Sequence, residues 1–202
     1  MDNELIDTSA KPVKVFLDTV NSVLNSNTFL LQFEAKTDNI DEALLNFLKS
    51  ESFIRQLAKQ DIERGWFNMH YFDHKTENYK LKHGNILKDK IELKIKEIAT
   101  EKSEYLIAML TGDTTKGRFC SFYSTQINQE KAKAIVDNFT SFLSLYGEWK
   151  LLFVEPDFLK GVLEAYPKNE KLRYFRGDFG NDTATIILTN NKVFLLLTNG
   201  ID

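Results

Sequence analysis

Residues Thr183 to Asp202, TATIILTNNKVFLLLTNGID, decide how the rest of the chain is read. Ile186, Ile187 and Leu188 form one apolar run, and Val193 to Leu197 form a second. Asn190-Asn191 lies between them, and asparagine tolerates the positive φ of a tight hairpin turn. The stretch predicts a β-hairpin whose strands are long and apolar enough to sit inside a core.

Working outward, helices and further strands are expected on the N-terminal side. Pro12 stands at a helix start, and Val13, Phe16, Leu17, Val20, Val23 and Leu24 recur at helical spacing. Phe29 to Ala35 reads as a short strand. Asp41 to Lys49 and Ser52 to Glu63 read as two helices broken near Ser50. After Gly65, the alternation from Trp66 to Phe72, a polar turn and Tyr79-Lys80-Leu81 suggest a hairpin. Asn85 is placed to cap a long helix carrying Leu87, Ile91, Ile95 and Ile98 on one face.

The run Tyr105 to Leu110 is apolar without alternation, which predicts a strand covered on both faces. Arg118 to Ser124 alternates and suggests an edge strand. Asn128 is a good N-cap for a helix holding Ala132, Ile135, Val136, Phe139, Phe142, Leu143 and Tyr146 in register, with Gly147 at its stop. Trp149 to Val154 is a second buried-type strand. Pro156 opens a helix over Phe158 to Tyr166, and Leu172 to Phe175 adds a short strand. Strand, long crossover helix and strand imply a parallel pair. The expected class is therefore α/β, a mixed and largely parallel sheet flanked by helices with a C-terminal β-hairpin. That region spans 85–202, and a small α+β region, 1–84, precedes it.

Composition narrows the function. The 202 residues are 43% hydrophobic and 27% charged, enough apolar mass for a real core. Net charge is -3, so no overall basic field draws the chain to nucleic acid or anionic lipid. Cys120 is the single cysteine, which excludes an intrachain disulfide and fits a reducing compartment. The start MDNELIDTSAKP is unlike a signal or transit peptide, and no apolar run approaches the roughly 20 residues of a membrane helix. A cytoplasmic location without membrane contact is expected.

The terminal hairpin also resembles the second half of a phospholipase D-like domain, and the element order over 85–202 is similar to one such unit. That family's motif runs His-x-Lys, an apolar strand, Asp, a turn, a second strand and Gly-Ser-x-Asn. On that pattern Thr183 falls at the histidine, Thr185 at the lysine, Asn190 at the aspartate and Thr198 at the serine. The family's histidine attacks phosphorus, its lysine holds phosphate oxygens and its aspartate orients a histidine. Thr183 has no nitrogen nucleophile, Thr185 carries no positive charge, and Asn190 supplies no negative one. The resemblance thus implies a catalytically dead site that could still bind a ligand through hydroxyls, an amide and backbone N–H groups.

A degenerate domain of this kind follows a winged-helix domain and a linker helix in sugar-responsive regulators of the TrmB type. Residues 13–83 can be matched to helix, strand, two helices and a wing at 65–83, with 86–101 as the linker helix. The recognition helix would then present Arg55, Lys59 and Arg64 to DNA. Asp61 and Glu63 interrupt them, and residues 1–84 carry 10 Lys/Arg against 13 Asp/Glu, which disfavours a nucleic-acid partner.

Other constellations are weaker. His70, His74 and His83 lie within fourteen residues, with Asp73 among them, and form the metal candidate for a hydrolase. On a strand His70 and His74 share a face but stand roughly 13 Å apart, too far for one ion. Gly112-Asp-Thr-Thr-Lys-Gly117 has P-loop glycine spacing, yet Arg118-Phe119 follows where Lys and Ser/Thr are required. Glu155 and Asp157 suit the first turn of a helix better than a site. No dinucleotide loop and no Ser-His-Asp order is present, so no cofactor is expected. The aromatic stretches Phe67 to Phe72 and Arg118 to Tyr123 suit a protein interface, including a homodimer. The sequence thus favours a non-catalytic binding or regulatory module acting through a protein partner or a small ligand.

Overall fold

Six consecutive apolar residues, Tyr105 to Leu110, form a helix in the computed structural model of the chain, and this element reorganises the whole fold. The structure describes residues 5–36, 38–63, 95–98, 101–112, 127–154 and 183–200. The helix Lys102–Thr111 starts where the Glu101 side chain accepts the Glu104 N–H, and Gly112 closes it in the left-handed conformation at φ 66°. All six residues from Tyr105 to Leu110 are buried. A continuous apolar run fits a helix enclosed on every side as well as it fits a strand, because neither shows amphipathic alternation. As a helix it cannot be the parallel partner expected for Trp149–Val154, which pairs antiparallel on both sides.

In chain order the elements are α1 (Lys11–Leu24), β1 (Ser26–Phe33), α2 (Ile40–Leu48), α3 (Glu51–Glu63), β2 (Ile95–Glu97) and α4 (Lys102–Thr111). They continue with α5 (Gln129–Leu143), a 3₁₀ turn (Ser144–Tyr146), β3 (Trp149–Val154), β4 (Thr183–Thr189) and β5 (Val193–Gly200). Among the described residues the strands form a five-stranded sheet in the order β1-β5-β4-β3-β2, and every neighbouring pair is antiparallel. The expectation of a largely parallel sheet is therefore overturned. Full burial of a strand reports that layers cover both faces; it does not report strand direction.

Both faces are indeed covered. Ile186, Leu188, Val193, Leu195 and Leu197 pack under α2 and α3, with Leu44, Phe47, Phe53 and Leu57 from those helices. Ile187, Phe194, Leu196 and Leu151 point the other way, against α1, α4 and α5. There Phe16 of α1 stacks on Phe139 of α5 at 4.2 Å between ring centroids, both fully buried. Lys102 ties α4 to β3 by donating to the Trp149 carbonyl at 2.9 Å, with its ammonium 4.2 Å from that indole ring.

Several sequence expectations are met closely. α1 has Pro12 in its first turn and buries Val13, Phe16, Leu17, Val20, Val23 and Leu24. Ser50 separates α2 from α3, donating its hydroxyl to the Phe47 carbonyl and accepting the Phe53 N–H. Asn128 caps α5 by accepting the Lys131 N–H. Gly147 ends the 3₁₀ turn at φ 102°, and a Cβ there would lie 2.8 Å from the Asn190 Cβ, so the hairpin turn packs against this glycine.

Other expectations fail. Ile95–Glu97 is a strand paired with β3, so the linker helix over 86–101 is not continuous. The winged-helix match also gives way, because β1 pairs with β5 along eight residues and so joins the sheet of the C-terminal hairpin. The hairpin turn needs no left-handed residue: among the described residues Asn25 is the one non-glycine at positive φ. Thr189 closes the turn instead, its hydroxyl accepting the N–H groups of Asn191 and Lys192 and donating to the Lys192 carbonyl. No helix among the described residues is long and apolar enough to cross a membrane.

Candidate functional site

The four hairpin positions singled out from the sequence divide into three that meet and one that does not. Thr183 and Thr198 are register partners at the open end of the β4–β5 hairpin. Their hydroxyls lie 2.7 Å apart, and the Thr183 N–H donates to the Thr198 Oγ1 at 3.0 Å. Thr28 of β1 pairs with Thr198 from the other side, so three strands carry a row of threonines facing α1, α4 and α5. Thr185, one step along on the same face, shares a hydrogen bond of 3.1 Å with the Tyr105 hydroxyl of α4. Asn190 lies in the exposed turn at the opposite end of β4.

This row is sealed. Thr28, Thr183, Thr185 and Thr198 are each at most 2% exposed. Burial pushes the Tyr105 hydroxyl up to about 12, against the smaller opposing effect of its bond to Thr185. Tyr105 is therefore a neutral hydrogen-bonding group at physiological pH, and the cluster holds α4 to the sheet. Each hydroxyl has a protein partner, as the cost of an unmade buried hydrogen bond requires.

An open site lies on the other face. A cleft of about 590 Å³ runs between the end of β1, α2 and the start of α3. Phe33, Ala43 and Phe47 give it an apolar lining, and the Phe33 and Phe47 rings stack at 5.2 Å. Glu34 and Glu42 contribute carboxylates, while Asn39, Asn46, Ser50 and Ser52 contribute amides and hydroxyls. The volume lies within the range of small-molecule sites, and an apolar wall with a few polar groups is their usual make-up. The chemistry on offer is a hydrophobic surface beside two negatively charged hydrogen-bond acceptors. Nothing in the types or spacing of these residues announced the cleft, because it is made by the angle between β1 and α2.

The DNA-binding candidates on α3 are differently placed. The helix buries Phe53, Leu57 and Ala58 against the sheet. Arg55 and Lys59 point outward, but each sits near a carboxylate one turn away, Glu51 at 3.4 Å and Glu63 at 3.8 Å. The described outer face of α3 is thus a row of alternating charges rather than a basic stripe. Arg64 and the expected wing over 65–83 lie outside the described residues. So do His70, Asp73, His74 and His83, and also Cys120, Glu155 and Asp157. Among the described residues no group of three metal-ligating side chains converges. Gly112 is described, and it follows a helix, not the strand that a P-loop reading needs.

Compared with protein-family models, curated proteins and solved structures, the chain matches none. The class that can be stated is structural: an antiparallel five-stranded sheet between two helical layers, with a cleft beneath one of them.

Proposed function

We propose that this protein is a non-catalytic binding or regulatory module that holds a small ligand, or a side chain of a protein partner, in the cleft between β1, α2 and α3. The observation that carries this reading is the cleft itself, with stacked Phe33 and Phe47 beside Glu34 and Glu42. A ligand with a cationic or hydrogen-bond-donating head on an apolar body suits that lining. The reading also draws support from the threonines of the terminal hairpin: the Thr183 and Thr198 hydroxyls bond each other, and the Thr185 hydroxyl bonds that of Tyr105.

Thermal unfolding in the presence of simple probes tests the proposal. Benzamidine, a cation on an aromatic body, at ten times its dissociation constant adds about 1.4 kcal/mol of stability, roughly 3 to 6 °C in Tm for a chain this size. Benzoate, with the opposite charge, is expected to give no shift. Ala43→Trp, which fills the cleft, abolishes the benzamidine shift if the site is correct. An equal shift in that variant, or equal shifts for both probes, contradicts the proposal.

A further inference from the structure

Among the described residues β1 is the last strand on its side of the sheet, yet its outer edge is not bare. An edge strand presents N–H and C=O groups from alternate residues, here Thr28, Leu30 and Gln32, to whatever lies beside it. Gln60 of α3 accepts the Leu30 N–H at 3.2 Å and donates to the Leu30 carbonyl at 2.9 Å. Gln56 does the same with Gln32, at 2.8 Å in both directions. Asn21 of α1 accepts the Thr28 N–H at 2.7 Å.

The match is geometric. Four residues of helix advance about 6 Å, and two residues of strand advance about 6.7 Å, so glutamines at i and i+4 meet alternate residues of a strand. Gln56 and Gln60 are both 5% exposed, and they line up with Phe53 and Leu57 on the buried side of α3. Their amides stand where the backbone of a neighbouring strand would stand.

We infer that the β1 edge behind these glutamines is a strand-docking surface held shut by α3, and that its occupant when α3 lifts is β1 of a second copy of this chain. Two features select that occupant. Ser26–Phe33, SNTFLLQF, carries no charge, so two copies meet without repulsion. Antiparallel pairing centred on Leu30 sets Leu30 opposite its own copy and Thr28 opposite Gln32. Every outward-facing residue then meets an outward-facing one in a symmetric contact. α3 acts as a substitute strand that keeps the edge closed.

Gln56→Leu with Gln60→Leu tests this, because leucine is a good helix former and suits the buried face. The variant is expected to keep the wild-type far-ultraviolet circular dichroism and to self-associate in sedimentation at concentrations where wild type is monomeric. It is also expected to bind a labelled peptide of residues 24–36 that wild type ignores. Amide exchange at Leu30 and Gln32 in the dilute variant should speed up by roughly tenfold. A folded variant that stays monomeric and ignores the peptide overturns the inference. Should the variant fail to fold, hydrogen exchange on wild type decides. Leu30 and Gln32 amides are expected to open together with Leu57 in the middle of α3, and exchange of the two independent of α3 is the overturning result.

Discussion

The two faces of one sheet are built from the same strands and end up in different states. Toward α1, α4 and α5 the sheet presents Ile187, Phe194 and Leu196, then a threonine row, and all of it is sealed under three helices. Toward α2 and α3 it presents an equally apolar set, but the two helices leave a cleft at the end of β1. Side chains alternate between faces along each strand, so neighbouring residues of β4 and β5 serve opposite purposes. Both faces bury a core, but only the second leaves a cleft open beside its helices.

Substitutions on the sealed face should cost stability and leave binding alone. The largest effect is expected for Phe139→Ala, which removes one ring of the Phe16–Phe139 stack and leaves a cavity worth about 3–5 kcal/mol. Urea unfolding reads that loss, and benzamidine affinity of the variant should match wild type. Next comes an alkaline limb. The Tyr105 pKa is raised on folding from 10.0 to about 12, so its stabilising contribution is complete below pH 10 and is lost as pH rises through 12. That amounts to about 3 kcal/mol, and a Tyr105→Phe, Thr185→Val variant should lack this limb in unfolding curves taken between pH 9 and 12.

Smaller effects sharpen the same contrast. Thr183→Val or Thr198→Val alone strands a buried hydroxyl or N–H and should cost about 1–3 kcal/mol. The double variant should cost less than the sum, and a double-mutant cycle that comes out additive would deny the pair its role. On the open face Glu42→Gln should change stability by less than about 0.5 kcal/mol, since Glu42 is exposed. It should nevertheless weaken benzamidine binding several-fold in calorimetry.

The sequence made helices with one apolar stripe easy to find. α1, α5 and the α2–α3 break at Ser50 follow from spacing and capping residues. The C-terminal hairpin and Trp149–Val154 were legible as apolar runs of strand length. Tyr105–Leu110 was not, because its helix is enclosed by its neighbours and loses the periodicity that identifies a helix. That one residue run carried the false parallel topology. Ile95 belonged to an apparent helical stripe, yet its pairing with Val154 is a long-range contact that local spacing cannot contain. Of the hairpin site, Thr183, Thr185 and Thr198 do gather, but as a sealed cluster, while Asn190 is at the far end. Gln56 and Gln60 did leave a signal: amides in step with Phe53 and Leu57 on an apolar helix face need partners, and the β1 edge supplies them.

The proposed function requires a ligand to land on the α2–α3 face and not on the sealed one. Amide chemical-shift mapping of the uniformly labelled protein during a benzamidine titration tests it most directly. Saturable shifts confined to the surroundings of Phe33, Ala43 and Phe47 are the predicted result. Shifts centred on Tyr105, Thr185 and Thr198, or no saturable shift at all, would contradict the assignment of the α2–α3 face as the binding face.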